Sequence, residues 1–311
     1  MGSSSSLSIA LPDSTSMSND TEPTQNEPAI GIIGGSGLYE MEELEVTARH
    51  ELETPYGLPS GAVVEGRLGG RRVCFLARHG AGHRLLAHEI NHRANVWALR
   101  SLNVRWAISI TAVGSLREDY RPRDVVVPDQ LGDRTGKGSL HTFFGRGIAA
   151  HIGFADPYSA EMRRVLINAA RLHEATVHDG GAYLCMNGPA FSTRAEAKMH
   201  RMLGFDIIGM TNAPEARLCR EAEIALATLA LVTDYDCWKT DEAPVDVSSV
   251  IANLHANSAL ARRIVQAVIP LIASTPDLPE HHSLDTAILT PRELWPEERR
   301  KDMLPILSRF G

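Results

Sequence analysis

Several signatures that would assign a partner or a compartment are missing from this 311-residue chain. It has no basic surplus: 31 Lys and Arg stand against 38 Asp and Glu, a formal net charge of −7. That balance argues against a nucleic-acid partner, because phosphate backbones are held by basic surfaces. The four cysteines, at 74, 185, 219 and 237, form no CxxC pair and no Cys/His cluster at metal-ligand spacing. No metal site is therefore expected, and reduced thiols in a cytoplasmic protein are. No run of 18 apolar residues exists, so no membrane-spanning helix is expected and no membrane partner. There is no internal repeat. The glycines at 31, 34, 35 and 37 do not spell G-x-G-x-x-G, and no G-x-x-x-x-G-K-[ST] occurs, which argues against a dinucleotide or P-loop site.

What is present is an ordinary globular composition, 43% hydrophobic and 22% charged. Residues 1–28 are rich in Ser, Thr, Asn and Pro and are expected to be a disordered tail; they lack the basic start and apolar core of a signal peptide. From Ala29 onward, short apolar strands alternate with amphipathic helices. Strands are expected at Ala29–Ile33, Ala62–Glu65, Arg72–Ala77, Ala107–Ile110, Asp124–Pro128, Ala182–Met186, Ile207–Met210 and in the run ending at Asp234. Helices are expected over Ile90–Leu102, after a Ser159 cap, after the Thr193/Glu196 capping box, from about Pro214, and along Val247–Val268. This alternation argues for one α/β domain, a mixed central sheet flanked by helices.

The stretch Leu231-Val232-Thr233-Asp234-Tyr235-Asp236 ends an apolar run in two acids. At strand spacing both carboxylates point to one side and can meet one ligand. Such a pair suits a group with a donor and an acceptor side by side, such as the N6 and N7 edge of adenine. The bland alternative is an exposed turn with two solvated acids. Other expected strands run into small or polar residues: Ser36 in the glycine turn, Arg78-His79, Thr111 and Thr211. Ligands of α/β sheets bind beyond the carboxyl ends of the strands, so these residues can converge on one site. Backbone N–H groups of the turn, the Ser36 hydroxyl and the Arg78 fork, with His79, Thr111 and Thr211 as further donors, suit free phosphate.

The chain resembles the purine nucleoside phosphorylase family, in its 5′-methylthioadenosine phosphorylase branch. The segments that carry the resemblance run in order from Ile30 to Pro291: IGIIGGSGLY, FLARHG, NHRANVWAL, TAVGSLRED, VVVPDQLGDRT, AHIGFADPY, GPAFSTRAEA, DIIGMTNAPEA and VTDYDCWK. The resemblance implies the nucleoside phosphorylase fold over residues 29–291 and a homotrimer; residues 292–311 run beyond the family pattern and are expected to be a C-terminal helical extension. It implies phosphorolysis of methylthioadenosine to adenine and 5-methylthioribose 1-phosphate, with phosphate as co-substrate and no cofactor. Carried over residue by residue, Ser36, Arg78, His79, Thr111, Ala112 (through its backbone) and Thr211 are the phosphate set. Phe191, Ser192 and Met210 bound the base and ribose, and Asp234 and Asp236 face N7 and N6. Val247 and Val250 contact the 5′-methylthio group, and His151 and Leu289 reach a neighbouring subunit's site.

The residue types fit that chemistry. Breaking the C1′–N9 bond makes the ribose cationic and the leaving purine anionic. A protonated Asp234 answers the second charge if burial and the Asp236 charge raise its pKa. Other readings remain open: a phosphorylase of another 5′-substituted adenosine such as a 5′-halo nucleoside, a 6-oxopurine phosphorylase, a nucleosidase using water, or a nucleoside-binding protein without turnover. Two departures bear on them. Asn187 stands where the family motif has an acid, and Ala190 where it has a long polar side chain. The apolar residues of the extension, Leu294, Met303, Leu304, Ile306 and Leu307, are expected to form a helix packed on the trimer.

Overall fold

A computed structural model describes residues 27–35, 41, 43–137, 140–239, 247–272 and 277–310; the side chains of 247–252 and 254–256 lie outside the described set. Strands β1 (Ala29–Gly34), β4 (Arg71–Ala77), β5 (Val104–Ser115) and β11 (Ala225–Asp234) form its centre. They are parallel, with β1 between β4 and β5 and β11 on the far side of β5. All four read as near-continuous apolar runs because helices cover both faces. Strands β2 (Glu45–His50) and β3 (Val63–Leu68) extend the sheet antiparallel beyond β4. On the other side lie β10 (Ile207–Gly209), β9 (Ala182–Cys185) and β7 (Gln130–Asp133), while β6 (Val125–Val127) joins β11 to β8 (Val177–Asp179).

One face of the sheet packs on α2 (Ala160–Leu172) and α5 (Val247–Val268), through Met162, Val165, Leu166, Ile264, Val265 and Val268. The opposite face packs on α1 (His92–Ser101) and α4 (Asn212–Glu221), through Val96, Leu99, Leu218 and Cys219. Alternation in β1 feeds both cores: Ile30 and Ile32 face one, Ala29 and Ile33 the other. Ser159 caps α2 by accepting from the Met162 amide, and Thr193 with Glu196 makes the capping box that opens α3 (Arg194–Met202). Cys74, Cys185 and Cys219 are buried free thiols and Cys237 is half-buried.

One expectation is corrected. Strand β5 does not end at Ile110: it runs through Thr111, Ala112, Val113 and Gly114 to Ser115, because β11 continues beside it and β10 pairs with Gly114 and Ser115. The C-terminal segment, α6 (Glu297–Asp302) and α7 (Leu304–Leu307), packs on the core of its own chain. Met303, Ile306 and Leu307 join the α1 core, the Trp97 indole donates to the Asp302 carbonyl at 2.7 Å, and Arg299 donates to the Phe143 carbonyl at 2.7 Å. Leu294 and Leu304 remain exposed.

Candidate active site

Beside the end of β11 lies a cavity lined by Ala112, Val113, Gly114, Phe191, Ser192, Ile208, Met210, Thr233, Asp234 and Asp236, with Met186 and Gly209. It therefore brings together six of the residues singled out in the sequence: Ala112, Phe191, Ser192, Met210 and both aspartates. The aspartates share it for a different reason from strand alternation. The β5–β11 register slips between Val232 and Asp234, so Asp234 stands opposite Gly114. Such irregularities re-aim a side chain at a strand end. The chain then turns through Asp236, whose φ of 52° is left-handed. Gly114 leaves the space: a Cβ there would stand 3.0 Å from Asp234 Oδ1 and 3.2 Å from Ile208 Cγ2.

The two carboxylates are held unequally. Asp234 accepts from the Thr233 hydroxyl at 2.7 Å and from the Asp236 amide at 2.8 Å. Asp236 Oδ2 is buried with no partner among the described residues. Burial pushes the Asp234 carboxyl above its ordinary range, against the pull of those two donors. Asp236 is pushed up to about 6, first by burial and then by the Asp234 charge, against a hydrogen bond from Ser192. The Cys237 thiol donates to the Ser192 carbonyl at 3.0 Å, which ties the Ser192 loop to the acidic turn. From α5, Asn253 donates to the Thr233 carbonyl at 2.7 Å and Asn257 to the Val232 carbonyl at 3.1 Å, fixing the strand end. Phe191 stands at the rim, 46% exposed.

The other expected donors gather at the ends of β4 and β10. Arg78 is buried and its Nε and Nη2 donate to Glu215, so the fork expected to face a ligand is engaged by a carboxylate of the protein. His79 lies over His83 with ring centroids 4.1 Å apart and makes a 2.8 Å hydrogen bond from Nδ1 to the Leu85 carbonyl. Burial pushes its pKa down to about 4, helped by Arg78 and His83. In the neutral ring Nδ1 must carry the hydrogen to donate to that carbonyl, which leaves Nε2 an acceptor. His79 thus offers a lone pair where a donor was expected. Thr211 is the N-cap residue of α4 without a side-chain capping bond, and its Oγ1 is buried and unpartnered among the described residues. A helix start with an idle hydroxyl is a ready anion position. Thr111 is buried in β5, its hydroxyl 3.2 Å from the Ala112 carbonyl.

The remaining positions fall elsewhere. Ser36 lies outside the described residues, and so do the side chains of Val247 and Val250 at the start of α5. His151 and Leu289 are exposed and do not line the cavity. A single bridge between Ala150 and Ile288 holds them side by side, with His151 N–H donating to the Ala287 carbonyl and Leu289 N–H to the Ala149 carbonyl. Asn187 lines an adjoining cleft with Met210, His92, Lys137 and His141, and Ala190 is exposed. Sequence reasoning did not single out Glu215, Gly114 or Thr233. A Glu flanked by Ala213, Pro214, Ala216 and Leu218 was the available signal for the first.

The model of the phosphorylase superfamily matches residues 29–270. The chain belongs to that superfamily. Among its phosphorylase relatives, an S-methyl-5′-thioadenosine phosphorylase of Gloeobacter violaceus is 51% identical over 286 residues, 90% of this chain and 95% of its own. One of Geobacter sulfurreducens is 47% identical, covering 91% of this chain and 99% of its own. A crystal structure of a methylthioadenosine phosphorylase sourced from an antarctic soil metagenomic library superposes with a TM-score of 0.86 at 46% identity, over 91% of this chain and 99% of that one. The methylthioadenosine phosphorylase of Schistosoma mansoni in complex with adenine gives 0.76 at 33% identity, over 91% and 98%. The mixed α/β fold of this chain is the nucleoside phosphorylase fold.

Proposed function

We propose that the chain is a pentosyltransferase that cleaves S-methyl-5′-thioadenosine with phosphate, releasing adenine and 5-methylthioribose 1-phosphate. The observation that carries this reading is the cavity in which Asp234 and Asp236 stand together, both with raised pKa and one with an idle buried oxygen. That oxygen is the open partner for the adenine N6 amino group, and the Asp234 carboxyl faces N7. A 6-oxopurine presents an acceptor at the same place and leaves Asp236 unpaired, so it binds poorly.

Phosphate takes the end of the cleft at the Thr211 hydroxyl, the α4 N-terminus, the Thr111 hydroxyl and Ala112. Arg78 supplies a charge there with the one Nη1 hydrogen left without a protein acceptor among the described residues. His79 Nε2 accepts the remaining proton of a hydrogen phosphate. The anion stabilises positive charge on the ribose and attacks C1′ as the base departs, and a carboxylic proton at the dyad neutralises the purine. No cofactor or metal takes part. The molecule works as a homotrimer in the cytoplasm: the exposed pair His151 and Leu289 completes a neighbour's 5′ pocket, together with Val247 and Val250 of that neighbour.

The test is release of purine from methylthioadenosine, methylthioinosine, adenosine and 5′-chloro-5′-deoxyadenosine, with and without phosphate. Phosphate-dependent adenine release, fastest from the thio substrate, is the expected result. Release without phosphate would make the protein a nucleosidase, and preference for methylthioinosine would reverse the assignment of the aspartates.

A further inference from the structure

Underneath the proposed phosphate position lies a closed polar network. Arg78 Nε donates to Glu215 Oε1 at 2.6 Å, and Nη2 donates to Glu215 Oε2 at 3.1 Å, to Ser109 Oγ at 2.8 Å and to the Ile33 carbonyl at 3.0 Å. Nη1 donates to the Ile110 carbonyl at 2.6 Å. The Ser109 hydroxyl donates to Glu215 Oε2 at 2.6 Å and its oxygen accepts from Asn212 Nδ2 at 3.2 Å. Asn212 Nδ2 also donates to Thr228 Oγ1 at 2.9 Å, and the Tyr158 hydroxyl donates to Asn212 Oδ1. Every side chain in the set is buried.

A buried ion pair is a poor stabiliser, since desolvating two charges costs about what their attraction returns. What it supplies is direction. A guanidinium has five N–H groups in a fixed plane. With Nε and Nη2 engaged by Glu215 and Ser109 and one Nη1 hydrogen on Ile110, a single hydrogen is left, and its direction is set by the other contacts. Asn212 and Glu215 both lie in the first turn of α4, directly after Thr211. One helical turn thus fixes the cation and the helix start together.

We infer that Glu215 is a positioning residue of the phosphate site: through Arg78 and Ser109 it sets the one guanidinium N–H that meets the anion and keeps it in register with Thr211. The inference rests on the phosphate reading above. The side chain of Glu215 touches no substrate. Its effect is confined to the anion, because the network joins Arg78, Ser109, the α4 start, Thr228 and Tyr158 and includes none of the described base-cavity side chains.

The experiment compares the full chain with its Glu215→Gln, Ser109→Ala and Arg78→Gln variants. KM for phosphate, KM and kcat for methylthioadenosine, and Kd for adenine without phosphate are measured for each. Glu215→Gln keeps the shape but puts an amide N–H where Arg78 or Ser109 also donates. Its phosphate KM should rise at least tenfold with the adenine Kd within twofold of the parent. Ser109→Ala should move phosphate KM in the same direction by a smaller factor, and it answers the question alone if Glu215→Gln does not fold. A raised phosphate KM in Arg78→Gln with none in the other two overturns the positioning role and leaves the phosphate site standing. An unaltered phosphate KM in Arg78→Gln overturns the phosphate reading and the inference with it. Equal loss for phosphate and adenine in Glu215→Gln marks a merely structural residue and also overturns it.

Discussion

Asp234 Oδ1 accepts the backbone N–H of Asp236 at 2.8 Å, so the first acid of the pair shapes the turn that presents the second. An asparagine at 234 can still accept that bond through its amide oxygen, and the turn should persist. It cannot supply a carboxylic proton to N7, and its amide donor suits an oxygen at C6. We expect Asp234→Asn to lower kcat/KM for methylthioadenosine about 10²–10³-fold and to lower it much less for methylthioinosine. Kinetics on the two nucleosides decide; an unchanged ratio between them removes Asp234 from base recognition.

Asp236 holds its proton to about pH 6, above the ordinary 3.8. As the acceptor for N6 it works ionised, so log kcat/KM for the nucleoside should rise with slope near +1 up to about pH 6 and level off above it, and Asp236→Asn loses that limb. The same shift has a stability sign. A carboxyl whose folded pKa is raised contributes most below its unfolded value, and the contribution fades as pH rises through about 6. The melting temperature of Asp236→Asn relative to the parent should therefore be more favourable at pH 8 than at pH 5, which thermal melts at the two pH values read directly.

Gly114 admits the Asp234 carboxylate where a Cβ would meet Oδ1 at 3.0 Å and the Asp236 amide at 3.4 Å. Gly114→Ala should push the acidic turn outward by a few tenths of an ångström. The expected outcome is a nucleoside KM raised about tenfold with phosphate KM within twofold, and a stability cost within the roughly 1–3 kcal/mol of a strained core insertion. Steady-state kinetics with each substrate varied in turn separate the two ends of the site.

Met303 is fully buried against the α1 core. Met303→Ala should cost about 2–5 kcal/mol of unfolding free energy, read from denaturant melts, without altering the ratio of the two substrate KM values. A change confined to that ratio would mean that the C-terminal segment acts on the site and not on the core.

The central strands and main helices were legible because each buries a continuous or regularly spaced apolar face, as in β1, β11 and α2. Strands β2, β7 and β8 were not: Glu45–His50 is mostly exposed and charged, and Gln130–Asp133 and Val177–Asp179 are short and polar. Their strand character comes from partners that no local pattern encodes. At the site, Asp234 and Asp236 stood out because acids ending a buried run are unusual. Their actual arrangement depends on a register slip and a left-handed residue, which alternation cannot foresee. Glu215 was hidden for a related reason, since its meaning lies in Arg78, which reaches it only in the folded chain.

Strand β5 carries Thr111 toward the proposed anion end and Gly114 against the acids, with β11 alongside and its register slipping between Val232 and Asp234. Three residues of extended chain measure about 10 Å. On the proposed reading, the separation between the attacking anion and the leaving base is thus written into a covalent backbone, like the fixed gap of a calliper. Loops and side chains around it can retune which 5′ group or which purine is accepted. None of them can lengthen the gap, so relatives that share this strand should differ in what they bind at either jaw and agree on the reach between them.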